Sequence, residues 1–131
     1  MAINAKISHW AVIAVGSNND AAENVEKAVC IMREHLDILK MSRQLNTEPI
    51  GMPQGTPAFV NMIVICHCDI DTDHLTALLK KIERQCGNTP EKRKHGIVSV
   101  DLDLLMFDDI KFHLSDWNRW YIKQLTEELH I

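Results

Sequence analysis

All five glycines and all four prolines of this chain fall in three places: at Gly16, in the run Pro49, Gly51, Pro53, Gly55, Pro57, and around Gly87, Pro90 and Gly96. Glycine and proline punctuate regular structure, so the long intervals between these points predict unbroken elements. The first interval ends in an apolar, β-prone segment, His9 to Val15, which reads as a buried strand closed by Gly16-Ser17-Asn18-Asn19. Asp20 with Glu23 has the form of a capping box. Val25, Ala28, Val29, Met32, Leu36 and Leu39 then recur at helical spacing, predicting a helix to about residue 38.

Residues 39–48 read as a weaker strand. After the Pro/Gly loop, Ala58 to Asp69 is apolar and long enough for a central strand. Asp71-Thr72-Asp73 offers N-caps to a second helix patterned by Leu75, Leu78, Leu79, Ile82 and Cys86, with Gly87 as its C′ residue. Val98 to Phe107 alternates as a strand, with Val98, Val100, Leu102, Leu104 and Met106 on one face. Asp108-Asp109 turns it, and Ile110 to His113 returns as a short hairpin arm. Asp116 is placed to cap a last helix, Trp117 to Leu129. The order predicts an α+β, ferredoxin-like βαββαβ antiparallel sheet with two helices on one face, plus a C-terminal hairpin arm and helix. At 131 residues the chain is the size of one domain, spanning 1–131.

Composition narrows the function classes. The chain is 46% hydrophobic and 24% charged, with a net charge of −4. Seven aromatics and a net negative charge suit neither phosphate neutralisation nor base stacking, so no nucleic-acid partner is expected. No apolar run approaches the ~20 residues of a membrane span. No leader is read before Trp10, and the four cysteines (30, 66, 68, 86) are expected as reduced thiols in a cytoplasmic protein. Cys66-His67-Cys68 invites a metal reading. On a strand, however, the two thiols share a face that His67 leaves, which favours core thiols.

Chemistry concentrates at Asp101-Leu102-Asp103. On a strand these carboxylates face the same way, ~6.8 Å apart at Cα. They repel unless a cation lies between them, and hard oxygen donors at that spacing suit Mg²⁺ shared with substrate phosphates. The alternative is two solvated aspartates on an open sheet face. Six of the 14 basic residues (Lys80, Lys81, Arg84, Lys92, Arg93, Lys94) lie just before this pair. Alone they read as a solvated helix face and charged loop; beside an acidic strand they suit an anionic ligand. The 49–57 loop has the character of a binding loop. It leads into Phe59-Val60-Asn61, an aromatic and an amide on one strand face, which together stack on a planar ring and read its edge, or else belong to the core.

In register, these segments resemble the hydroxymethyl-dihydropterin pyrophosphokinase family of folate biosynthesis. The segments are Ala14-Val15-Gly16-Ser17-Asn18, Thr47-Glu48-Pro49-Ile50-Gly51, Phe59-Val60-Asn61, Ile82-Glu83, the Asp-Leu-Asp strand within Gly96 to Phe107, and His113 followed by Asn118-Arg119 and Tyr121. The resemblance implies Mg-dependent transfer of pyrophosphate from ATP to the hydroxymethyl group of a dihydropterin, releasing AMP. It implies Mg²⁺ on Asp101 and Asp103, with Lys94 and Arg119 as further catalytic groups. Thr47, Pro49, Ile50, Phe59, Asn61, His95 and Tyr121 would bind the pterin. Glu83, Leu104, His113 and Arg119 would line the nucleotide side. Read without the resemblance, His113 is an exposed loop imidazole, Arg119 a helix-surface cation and Tyr121 a core residue. The chain departs from the family where phosphate-gripping arginines are expected, carrying Asn88, Pro90 and Val98 there and Lys94 in place of another. Those departures leave open a second reading, a pterin- or nucleotide-binding module that does not transfer. No oligomeric state is read.

Overall fold

The computed structural model describes residues 8–131. The segment before His9 over which no leader is read lies, but for Ser8, outside the described residues. Nine residues of β1 (His9–Ser17) run antiparallel to β4 (Phe59–Cys68), from His9 opposite Cys68 to Ser17 opposite Val60. On the other flank β1 pairs with β5 (Asp101–Phe107), which turns into β6 (Ile110–Lys111). Strand β2 (Asp37–Met41) pairs with β4, and β3 (Leu45–Thr47) pairs further along the same edge. The sheet order is β2-β4-β1-β5-β6, which with α1 (Ala21–His35) and α2 (Thr72–Gln85) makes the expected βαββαβ arrangement.

The central strands are apolar because both faces are covered. Ile13, Val15, Val64 and Leu102 face α1 and α2, meeting Val25, Met32, Leu75, Leu79 and Ile82. Val12, Ile63 and Leu105 face the opposite way onto Tyr121, Ile122 and Leu125 of α4 (Trp120–Glu128). The two helices expected on one face are there, and the C-terminal helix, whose place the sequence left open, covers the other. Cys66 and Cys68 are free, buried in the α1/α2 core, and burial pushes the Cys66 thiol up to about 12. His67 turns to the other face against Trp10, with ring centroids 4.4 Å apart.

Local details differ from the sequence reading for identifiable reasons. The single strand expected over 39–48 is two, broken at Ser42, whose backbone N–H donates to the Ile63 carbonyl (2.8 Å) while its hydroxyl accepts from the Ile63 N–H (2.7 Å). Helix α1 stops at His35, not near 38. Asp20 adopts a left-handed φ of 43° and its side chain makes no capping bond, so the capping box does not form. Asp116 begins a 3-10 turn (Asp116–Asn118) rather than capping the last helix. Residues 98–100 are not yet strand. Asn18 and Asn88 hold them instead: Asn18 Oδ1 accepts from Val98 N–H (2.7 Å), and Asn88 accepts from Val100 N–H (3.1 Å) while donating to the Val100 carbonyl (2.5 Å).

Asp71 does cap α2, its carboxylate accepting from His74 N–H at 2.8 Å. That backbone bond, then the His74 side chain, hold the Asp71 carboxyl below its usual range. A depressed carboxylate contributes stability that is present above its unfolded pKa and lost as pH falls through its folded pKa. Asp71→Ala is therefore expected to melt below wild type at pH 7, with the gap closing in acid. Melting curves of the two proteins from pH 7 to pH 2 check this.

Candidate active site

At the end of β1 near Gly16, the sheet face shared with α4 opens into a cleft of about 230 Å³. Gly16 lies opposite Asn61 on β4 and opposite Asp101 on β5, so one residue joins the two halves of the site. A Cβ there would fall 2.8 Å from Asn61 Oδ1 and 3.8 Å from the Phe59 ring. The absence of a side chain is what lets the amide and the ring occupy the cleft.

One half is built for a planar polar ring. Asn61 Nδ2 donates to the Thr47 hydroxyl at 2.5 Å, across the β3–β4 pairing that also places Thr47 opposite Phe59. This leaves the amide oxygen to accept, and an amide N–H with the threonine hydroxyl to donate. Phe59 and Tyr121 both line the cleft, and Arg119 Nη1 bonds the tyrosine hydroxyl at 2.9 Å. Ile50 and Met52 of the Pro/Gly loop form an apolar wall. The loop is braced at Thr56, which donates to the Pro53 carbonyl, and packs on Gly96, where a Cβ would lie 2.5 Å from Thr56 Oγ1.

The other half is acidic. Asp101 and Asp103 project from β5 into the cleft with Asp116 beside them. Burial, then the neighbouring Asp101 charge, raises the Asp103 carboxyl above its usual range. Among the described residues Asp103 receives no hydrogen bond, whereas Asp101 is ion-paired with Arg93 of α3 (Pro90–Lys94). Between the two aspartates, Leu102 N–H donates to Glu83 Oε2 of α2 at 2.8 Å, fixing the strand from behind. No cluster of three or more metal-binding side chains occurs among the described residues. The donor set is two hard carboxylates, one of them without a partner. That fits a divalent cation completing its shell with water and ligand oxygens, not an all-protein cage.

The cleft thus gathers Thr47, Ile50, Phe59, Asn61, Asp101, Asp103, Arg119 and Tyr121 of the expected residues. Others stand elsewhere. Pro49 shapes the loop without lining the cleft. Lys94 and His95 face solvent, His95 near Glu91 at 3.2 Å. His113 is exposed at a positive φ of 51°, outside the lining. Glu83 acts from behind the strand. Leu104 belongs to the α1/α2 core: β5 shifts register against β1 between Leu104 and Met106, leaving Leu105 as the bulged residue. Leu105 is the residue that floors the cleft, and the same bulge moves Met106 off the face predicted for it. The sequence reading also missed Glu48, Met52, Asp116 and Ile122 as lining. Asp116 lies 3.4 Å from Arg119 at an i,i+3 spacing, a signal that was legible.

The family model described as 7,8-dihydro-6-hydroxymethylpterin-pyrophosphokinase (HPPK) matches residues 12–129. The folate synthesis bifunctional protein of Arabidopsis thaliana is 29% identical over 107 residues, 80% of this chain and 22% of that protein. The mitochondrial folate synthesis bifunctional protein of Pisum sativum is 32% identical over 102 residues, 76% of this chain and 19% of that one. This chain thus spans about a fifth of the length of these relatives. Among solved structures, a Plasmodium falciparum HPPK-DHPS triple mutant with STZ-DHP superposes with a TM-score of 0.61 at 15% identity. The match covers 96% of this chain and 33% of that one, and shares the fold.

Proposed function

This chain belongs to the 7,8-dihydro-6-hydroxymethylpterin-pyrophosphokinase family, and we propose that it transfers pyrophosphate from ATP to the hydroxymethyl group of a dihydropterin, with Mg²⁺ and release of AMP. The observation that carries this reading is a single cleft holding a ring-reading set and a carboxylate pair, joined at Gly16. Asp101 and Asp103 would hold the cation, which when bound neutralises phosphate charge and orients the triphosphate for in-line attack. Phe59 and Tyr121 stack on the pterin, and Thr47 with Asn61 pairs its donor and acceptor edge. Ile50 and Met52 shield the transferred group from water. Glu83, by holding Leu102, keeps the two carboxylates aimed into the cleft. Catalysis on this reading is positioning and charge neutralisation, because phosphoryl chemistry asks the protein for little else.

AMP release from Mg-ATP, dependent on added dihydropterin, tests the proposal; folded protein that releases none overturns it. A second reading, binding without transfer, is favoured by the scarcity of free cations in the cleft, where Arg93 is already ion-paired. Calorimetry separates the two. Pterin binding with no measurable nucleotide affinity supports the module.

Gly16→Ala is expected to weaken dihydropterin binding by about tenfold, roughly the worth of one hydrogen bond, because the new Cβ displaces the Asn61 amide. Titration of pterin into both proteins checks this. Equal affinities would remove Asn61 from the recognition set.

A further inference from the structure

Two guanidinium groups line the cleft, and they are held differently. Arg119 is engaged by the Tyr121 hydroxyl and by Asp116. Among the described residues Arg93 has one side-chain partner, Asp101, and its own side chain is half exposed. The neighbouring cations are not available to the cleft. Lys92 Nζ donates to the Gly87 carbonyl at 3.0 Å, and Lys94 points to solvent.

The local sequence dictates this arrangement. Asn88 is spent holding Val100, and Val98 is buried. Pro90 starts α3 at its first turn, while Thr89 caps it by accepting from Lys92 N–H at 3.1 Å. Gly96 N–H donates to the Arg93 carbonyl at 3.0 Å, closing the helix. The segment is thereby a fixed platform that delivers one arginine, Arg93, to the carboxylate pair.

We propose that Arg93 is the resident counter-ion of Asp101 and exchanges that carboxylate for nucleotide phosphates when a divalent cation arrives with them. The inference rests on the reading of this cleft as a Mg-nucleotide site. Its physical basis is competition. A cation on Asp101 places like charge beside the guanidinium and satisfies the carboxylate that held it. The same cation brings phosphate oxygens, which a guanidinium binds in bidentate fashion. The anchored platform keeps the freed side chain within the cleft. Arg93 thus neutralises Asp101 before binding and grips phosphate afterwards.

The exchange predicts opposite effects on two ligands from one substitution. Removing Arg93 removes a competitor for Mn²⁺ alone, so Arg93→Ala is expected to bind Mn²⁺ severalfold more tightly than wild type. The same variant is expected to bind a non-hydrolysable ATP analogue with Mg²⁺ about tenfold more weakly. Arg93→Lys should fall between on the analogue, since a point charge replaces a fork. Lys81→Ala, which removes one positive charge from the exposed side of α2, should shift neither affinity by more than about twofold. Calorimetry on the full chain reads all four proteins. The exchange is overturned if Arg93→Ala binds Mn²⁺ no more tightly, or the analogue as tightly as wild type. Wild type that binds Mn²⁺ and the analogue yet releases no AMP overturns the transfer reading and leaves the exchange to these affinities. Wild type that binds neither overturns both.

Discussion

Asp103→Asn is expected to lower pyrophosphoryl transfer about a thousandfold or more, the scale of removing a preorganised electrostatic contact, while raising the melting temperature. The two effects share a cause. Asp103 is a carboxylate held partly out of water beside Asp101, without a hydrogen bond, and both burial and the neighbouring charge act against its ionised form. Folding around such a group has a cost that an isosteric amide does not carry. On the proposed reading the cost is tolerated because the same pair would hold a cation during function, the usual conflict between stability and activity at a working site. Mg²⁺ with a non-hydrolysable ATP analogue at a hundred times Kd should stabilise wild type by about 2.7 kcal/mol through mass action. It should leave Asp103→Asn unmoved. Thermal melts of both proteins with and without the analogue read the comparison. A variant that melts below wild type and still responds to the analogue would return Asp103 to an ordinary surface role.

The acidic pair was legible in the sequence because its chemistry is local. Two carboxylates two residues apart on an apolar strand share a face whatever surrounds them. Phe59 and Asn61 were legible for the same reason. What sequence spacing cannot carry is an interruption of the period. The bulge at Leu105 exchanges the faces beyond it, so Met106 stands on the α4 side and not on the α1/α2 face its alternation predicted. Asp20 failed as a cap because its backbone turns left-handed, a choice set by the exit from β1 rather than by the side chain. The cations are a third case. Lys92, Arg93 and Lys94 are three adjacent cations, and only α3 decides that one reaches the cleft, one serves the backbone and one faces water. Lys94 and His95 were expected in the site from the family pattern, which does not contain this helix's orientation.

Glu83 gives the sharpest test of how that geometry is maintained. Its Oε2 accepts the Leu102 N–H, and its Oε1 lies 3.7 Å from the exposed Lys80 ammonium. Glu83→Ala leaves a buried backbone N–H without a partner. The expected cost is roughly 2 kcal/mol, and transfer should fall because Leu102 sits between the two aspartates proposed to hold the cation. Glu83→Gln keeps an oxygen to accept that bond and loses only the 3.7 Å ion pair with the exposed Lys80 ammonium. Burial is the largest influence raising the Glu83 carboxyl above its usual range, so the folded state holds this proton more tightly than the unfolded chain. Stability contributed by such an acid falls as pH rises from 4.5, the ordinary value, through the raised one. Glutamine does not titrate, so Glu83→Gln should match wild type in acid and melt above it at pH 7. Glu83→Ala should melt below wild type at both. If glutamine and alanine destabilise alike at pH 7, the carboxylate's charge, rather than its hydrogen bond to Leu102, is what secures the strand behind the two aspartates.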